Sequence, residues 1–169
     1  MQRNSEPNVH SRIGLRTIRP VTLRALLVAV AAGAGVAGCG SDGEESLPAA
    51  CRAGEREVRS ALAAAPGRVE LDGTPLSGCF VQASDPAEIQ AVGAAYLAAA
   101  AELAAAAAKR PEAEQALRLG YLVGAARRGA GGTQGIHSEL VRRLEQEAAH
   151  VAGRSSAYTR GVRTGRRSG

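Results

Sequence analysis

From Cys51 onward, apolar residues recur every three or four positions, and glycine or proline interrupts them at short intervals. This spacing places apolar side chains on one face of an α-helix. The first such stripe, which includes Leu62, predicts a helix that begins near Cys51 and ends before Pro66. Residues 68–82 change to a period near two around the turn-forming pair Asp72-Gly73, which predicts a hairpin-like or irregular segment.

Three further helices are predicted between residues 85 and 151. Asp85-Pro86-Ala87-Glu88 offers a capping carboxylate, a proline in the first turn and an acid in the third position, so a second helix begins here and runs to Lys109-Arg110. Pro111 forces a boundary, and a third helix is predicted from Pro111 to Arg128. After Gly131-Gly132, a fourth helix from about Gln134 to Val151 carries the most regular apolar stripe.

Four helices with short connections favour an all-α fold, in which the helices pack as a small up-and-down bundle. The Ala-rich helical domain is predicted to span residues 51–152, with residues 68–82 as a short non-helical insertion. Residues 153–169, rich in Gly, Ser and Arg, are predicted to form a basic disordered tail. Residues 39–50 are small, acidic and proline-containing, which is typical of a flexible tether.

The formal net charge of +5 is concentrated at the two ends of the chain. Residues 39–153 contain 11 basic and 15 acidic side chains, whereas residues 154–169 contain five arginines and no acid. Anionic lipid headgroups or wall polymers would attract such a tail. Three tyrosines, one phenylalanine and no tryptophan leave little for base stacking, so we expect no nucleic-acid partner.

The N-terminal segment is organised differently from the rest of the chain. Its first 20 residues are polar and contain four arginines, and Leu23–Val36 is apolar apart from Arg24. An apolar run of this length is too short to span a bilayer, and with its basic flank it is typical of a secretory signal peptide.

The apolar run ends in Val36-Ala37-Gly38-Cys39, which resembles the lipobox of bacterial lipoprotein signal peptides. The resemblance implies that residues 1–38 are removed and that Cys39, as the new N-terminus, carries a diacylglyceryl group. Two acyl chains suffice for stable anchoring, whereas one chain is marginal. We therefore expect a mature protein anchored by lipid on the extracytoplasmic face of the cell membrane.

Ala32-Gly33-Ala34 leaves an alternative open, because an A-x-A sequence is also a site for the ordinary signal peptidase. Cleavage there would release a freely secreted protein with Cys39 as an unpaired thiol.

The three cysteines fit the lipidated form, because modification of Cys39 leaves Cys51 and Cys79 as a pair. Export brings that pair into an oxidising compartment, so a Cys51–Cys79 disulfide is predicted. Closing a loop of this length stabilises the fold by about 3 to 4 kcal/mol in the chain-entropy model. The alternative is two separate buried thiols.

Neither a catalytic residue nor a metal or cofactor site is predicted. His137 and His150 lie on the fourth helix, but 100° per residue turns them about 140° apart, so they cannot share a metal ion within it. Hydroxyl and carboxylate groups do not cluster in a triad-like pattern. Three i,i+4 pairs are typical of solvated helix faces: Glu55–Arg59, Glu114–Arg118 and Glu139–Arg143.

Gly120 and Gly124 have the small-residue spacing that allows two helices to approach closely. We expect them to pack against the Ala94–Ala108 stretch, with a homodimer contact as the alternative. A core with few large side chains also suggests a pocket between the helices, lined by these glycines together with Tyr96 and Tyr121.

The anchor and the absence of a catalytic pattern favour a non-enzymatic interaction or structural role in the cell envelope. The partner would be another envelope protein or a wall polymer. The alternative is a small-ligand-binding lipoprotein that uses the interhelical pocket. A hydrolase or metalloenzyme is the least favoured interpretation.

Overall fold

The structure of the protein, a computed structural model, describes residues 46–169. Cys39, the signal segment and most of the tether lie outside the described residues. The described part is helical, which confirms the all-α prediction, and it also contains one two-stranded hairpin. Six α-helices, two strands and two 3-10 turns follow in this order: the turn Ala49–Arg52, α1 (Glu55–Ala61), the turn Leu62–Ala64, β1 (Glu70–Leu71), β2 (Thr74–Pro75), α2 (Leu76–Gln82), α3 (Pro86–Lys109), α4 (Glu114–Gly129), α5 (Ile136–Ala152) and α6 (Ser156–Ser168).

The segment predicted as a non-helical insertion contains both the expected hairpin and a short helix. Asp72 and Gly73 have φ values of 49° and 79°, as the turn between two antiparallel strands requires, and Leu71 pairs with Thr74. The rest of the insertion forms α2, so the prediction is wrong for Leu76–Gln82. Burial of Leu76, Cys79 and Phe80 explains α2, because packing overrides the weak helix propensity of so short a stretch.

α3 begins at the residue that its sequence predicts. The Asp85 carboxylate accepts hydrogen bonds from the backbone amides of Ala87 at 2.7 Å and Glu88 at 2.9 Å, and Pro86 occupies the first turn. Within residues 46–169, α3 alone is long and apolar enough to cross a membrane, but 44% of its apolar window is buried inside the domain. A core helix meets the same criterion of length and composition.

α4 is the central helix of the domain. All eight of its residues from Leu119 to Ala126 are buried, so the helix is covered on every side. α2, α3, α5 and α6 all pack around it. Two tyrosine hydroxyls are satisfied in this core: that of Tyr96 donates to the Leu76 carbonyl at 2.7 Å, and that of Tyr121 accepts from the Val69 amide at 3.2 Å.

Residues 153–169 do not form a disordered tail, and that prediction is wrong. Residues Ser156–Ser168 form α6, which buries Ala157 and Tyr158 against the domain. α5 first returns the chain to the start of α4, where the Ser155 hydroxyl donates to the Pro111 carbonyl. α6 then runs parallel to α4, because Leu117 lies beside Gly161 and Ala125 beside Gly169.

Glycines make the contact between α4 and α6. A methyl group on Gly120 or Gly124 would overlap a carbonyl oxygen of α6, and a methyl group on Gly161 or Gly165 would overlap one of α4. Only residues without a Cβ let the two backbones approach so closely. Gly120 and Gly124 therefore pack within the chain, as expected, but their partner is α6 instead of the Ala94–Ala108 stretch.

The predicted disulfide joins Cys51 to Cys79 and ties the first 3-10 turn to α2. Both cysteines are fully buried, and their Cα atoms are 5.4 Å apart. Leu47 falls within the segment that its composition predicts to be a flexible tether, yet it is only 1% exposed and belongs to the core. The ordered domain therefore begins before Cys51, because the apolar Leu47 side chain gains more from burial than the tether composition suggests.

Removal of the disulfide is expected to lower the free energy of unfolding by about 3 to 4 kcal/mol. The reason is that the unfolded chain is then no longer closed into a loop between two cysteines 28 positions apart. The variant Cys51→Ala/Cys79→Ala, followed by urea unfolding with and without a reductant, measures this loss. The unaltered chain should become less stable in the reductant, whereas the variant should not respond to it. A similar effect of the reductant on both proteins would contradict the prediction.

Gly161→Ala is expected to destabilise the domain by about 3 kcal/mol or more, because the new methyl group overlaps the Leu117 carbonyl oxygen of α4. Gly153→Ala is the matched control, since Gly153 has a φ of −77° and open space where a Cβ would lie. The control should stay within about 0.5 kcal/mol of the unaltered chain. Equal urea midpoints for the two variants would show that α6 does not pack on α4 in this way.

Candidate functional surface on α6

The N-terminus of α6 is held by side chains from two parts of the fold. Ser155 is the N-cap residue, and its hydroxyl oxygen accepts from the Tyr158 amide at 3.0 Å. Glu112, in the connection before α4, accepts from the Ser156 amide at 2.8 Å, the Ser156 hydroxyl at 2.6 Å and the Ala157 amide at 3.2 Å. The parallel arrangement makes this contact available, because α4 and α6 begin at the same end of the domain.

The same hydrogen bonds affect the ionisation of Glu112. The Ser156 hydroxyl, then the Ser156 and Ala157 amides, lower the pKa of the Glu112 carboxyl, and the positive charge of Arg160 acts in the same direction. A carboxylate at the N-terminus of a helix also complements the helix dipole.

Arginines occupy the side of α6 that faces away from α4. At 100° per residue, the four arginines of the helix fall within an arc of about 120°, opposite the buried glycines. All four are exposed. We call this surface the arginine face, and it consists of Arg160, Arg163, Arg166 and Arg167.

The arginine face has few counter-charges nearby. Among residues 46–169, no carboxylate lies within 4.0 Å of Arg163, Arg166 or Arg167. The Arg128 guanidinium donates to the carbonyl oxygen of Arg167, so a further positive charge lies at the C-terminal end of the helix. The arginine face is therefore a positively charged surface on a rigidly held helix.

A shallow groove runs along each side of the arginine face. One groove, of about 350 Å³, is lined by Tyr158 and Val162 together with arginines that include Arg163 and Arg166. The other, of about 280 Å³, combines Leu117 with arginines that include Arg160. Each groove thus brings guanidinium groups and apolar side chains together.

Several arginines elsewhere on the domain are paired with acids. The groove of about 420 Å³ between α1, α3 and α4 contains Arg59 and Arg118, but these pair with Glu55 and Glu114, each at 2.8 Å. Glu139 likewise pairs with Arg143 at 2.9 Å, so all three predicted i,i+4 ion pairs are confirmed. Compensated pairs of this kind offer little attraction to an external anion.

The four residues predicted to line a ligand pocket do not surround an open space. Tyr96 and Tyr121 are fully buried. The backbone of α6 packs directly against Gly120 and Gly124 and occupies the space beside them. Burial raises the pKa of the Tyr96 hydroxyl, which is consistent with its place in a closed core. The predicted pocket is therefore wrong, because a helix that the sequence did not predict occupies it.

The two histidines of α5 have different surroundings within residues 46–169. The ring of His137 packs edge-on against Phe80, with 5.2 Å between ring centroids, while His150 is exposed. Among the described residues, no three His, Cys, Asp or Glu side chains group in a way that could hold a metal ion.

Neither the protein-family models nor the curated proteins nor the solved structures include a significant match to this chain.

Glu112→Ala is expected to loosen the first turn of α6, because the Ser156 and Ala157 amides lose their acceptor. Hydrogen exchange of residues 156–160 should become faster than in the unaltered chain. Glu147→Ala is the matched control, since Glu147 is exposed and forms no ion pair within residues 46–169.

The contribution of Glu112 should also depend on pH. Its pKa is lowered in the folded protein, so its stabilisation is present above the unfolded value of 4.5 and is lost as the pH falls through the folded value. The difference in melting temperature between the unaltered chain and Glu112→Ala should therefore shrink in acid. The pKa of Glu139 is lowered to about 2 by hydrogen bonds from Arg142 and Arg143. Glu139 affects the melting temperatures of both proteins equally, so its effect cancels in their difference. A difference that does not change from pH 7 to pH 3 would contradict this role.

Proposed function

We propose that the mature protein is a lipid-anchored, non-enzymatic helical module that presents a surface to other components of the cell envelope. The observation that carries the proposal is the pairing of Cys51 with Cys79 in the buried disulfide. This pairing leaves Cys39 as the remaining cysteine of the chain, directly after the lipobox-like Val36-Ala37-Gly38. A lipid on Cys39 accounts for the odd cysteine of an exported protein.

The disulfide also supports export. Disulfides persist in oxidising compartments outside the cytoplasm and are rare in reducing ones. A domain whose core contains many alanines and four aromatic residues buries little apolar area per residue, so the cross-link contributes much of its stability.

An interaction role fits the described part of the chain better than ligand binding does. The residues that would have lined the pocket are packed against protein, so the small-ligand alternative loses the feature on which it depended. The exposed arginine face, in contrast, is available to an external partner. We propose that the module acts through such surfaces at the extracytoplasmic side of the membrane.

The tether would keep the domain close to that membrane. Eight residue steps separate Cys39 from the buried Leu47, and a fully extended chain of this length spans at most about 30 Å. An anchored domain would therefore meet partners at or near the bilayer surface.

Intact-mass analysis of the protein extracted from host membranes tests the proposal. The expected mass corresponds to a chain that begins at Cys39 with a diacylglyceryl group, and reduction should add two hydrogens at the disulfide. Cys39→Ala should lose the lipid and keep the disulfide, whereas Cys51→Ala/Cys79→Ala should keep the lipid and lose the disulfide. A mass that begins near Gly35 and lacks lipid would contradict the anchor and identify a freely secreted protein.

A further inference from the structure

We propose that the arginine face of α6 docks on the anionic phosphodiester headgroups of the membrane, so that the domain contacts the bilayer through this helix as well as through its anchor. The proposal rests on the proposed function only in that the lipid brings the domain near the membrane. The contact itself follows from the charge, exposure and rigidity of α6.

Charge is the first argument. Arg163, Arg166 and Arg167 are exposed and have no carboxylate within 4.0 Å in the described part of the chain. Guanidinium groups bind phosphate oxygens through paired hydrogen bonds, which makes arginine well suited to phosphodiesters. Arginines paired with acids on α1, α4 and α5 offer less to a phosphate. The arginine face is distinguished from single unpaired arginines because it gathers four guanidinium groups on one side of one helix.

Rigidity is the second argument. The glycine contacts with α4 and the Glu112 hydrogen bonds hold α6 in place before any ligand arrives. The arginines therefore project from a fixed helix, and Arg160 and Arg167 begin about 10 Å apart along its axis. Binding then requires the ordering of side chains alone, which lowers its entropic cost.

Shape and composition favour lipid over the other anionic macromolecules. The four aromatic side chains are buried, so the described residues offer no exposed ring on which a nucleic-acid base can stack. The arginine face extends about 10 Å along the helix axis, which allows it to contact more than one headgroup. The linings of its two flanking grooves include the apolar side chains Leu117, Tyr158 and Val162, which suit the glycerol and upper acyl segments that join a lipid phosphate.

Residue-resolved labelling with phenylglyoxal, a reagent that modifies free guanidinium groups, tests the proposal. The protein extracted from membranes is reconstituted in vesicles of phosphatidylcholine alone or of phosphatidylcholine with phosphatidylglycerol, and mass spectrometry then measures modification at each arginine. The rate at the arginine face should fall about fivefold in the anionic vesicles. It should recover in 1 M NaCl, where screening acts within about 3 Å.

Arginines outside α6 provide the internal control. Arg52, Arg56 and Arg110 are exposed and form no ion pair within residues 46–169, so their rates should be the same in both vesicles. Equal rates at the arginine face in the two vesicles would overturn the proposal. Protection by soluble poly(glycerol phosphate) but not by vesicles would also overturn it, and would identify a wall-type polymer as the ligand.

Two charge-matched variants extend the test. In Arg163→Gln/Arg166→Gln/Arg167→Gln, the remaining Arg160 should lose its protection in anionic vesicles. In Arg52→Gln/Arg56→Gln/Arg110→Gln, Arg160 should stay protected. Circular dichroism verifies that both variants keep the helical fold, which is expected because every substituted side chain is exposed.

These experiments test the lipid anchor and the docking surface independently of each other. Absence of lipid in the intact mass would contradict the proposed function, yet the Cys39→Ala chain mixed with vesicles would still report protection at the arginine face. Conversely, a lipidated protein whose arginine face is unprotected would keep its anchor and exclude the second contact.

Discussion

The fold depends on the backbone contact between α4 and α6. Two glycines on each helix form this contact: Gly120 and Gly124 on α4, and Gly161 and Gly165 on α6. At each of them, a carbonyl oxygen of the facing helix lies where a Cβ atom would be. This contact completes the burial of α4, the helix on which α2, α3 and α5 also pack. Glycine is costly in an isolated helix, but here the close approach replaces the contacts that larger side chains would make.

The orientation of α6 follows from this contact and determines the character of the outer surface. Because its small residues must face α4, its arginines must face away from the domain. The parallel direction also brings Glu112 to the N-terminus of α6. Its carboxylate accepts hydrogen bonds there from the Ser156 and Ala157 amides, which have no acceptor within the helix. A packing requirement in the core thus produces a positively charged surface.

The disulfide secures the N-terminal part of the domain, where regular structure is short. α1 and α2 have seven residues each, and β1 and β2 have two each, so local hydrogen bonding alone stabilises them weakly. Cys51 and Cys79 join this region covalently, and the stacked rings of Phe80 and Tyr96 connect it to α3. The cross-link compensates for the small apolar area that alanine provides.

By itself, the sequence determined the features that local chemistry specifies: the Asp85 cap, the boundary at Pro111, the Asp72-Gly73 turn and the all-α class. Counting the cysteines also identified the disulfide pair. Only the tertiary structure decided that residues 156–168 form a helix and that no pocket lies beside Gly120. The physical reason is that glycine lowers local helix propensity by about 1 kcal/mol, whereas the compensating contact joins residues about 40 positions apart in the chain.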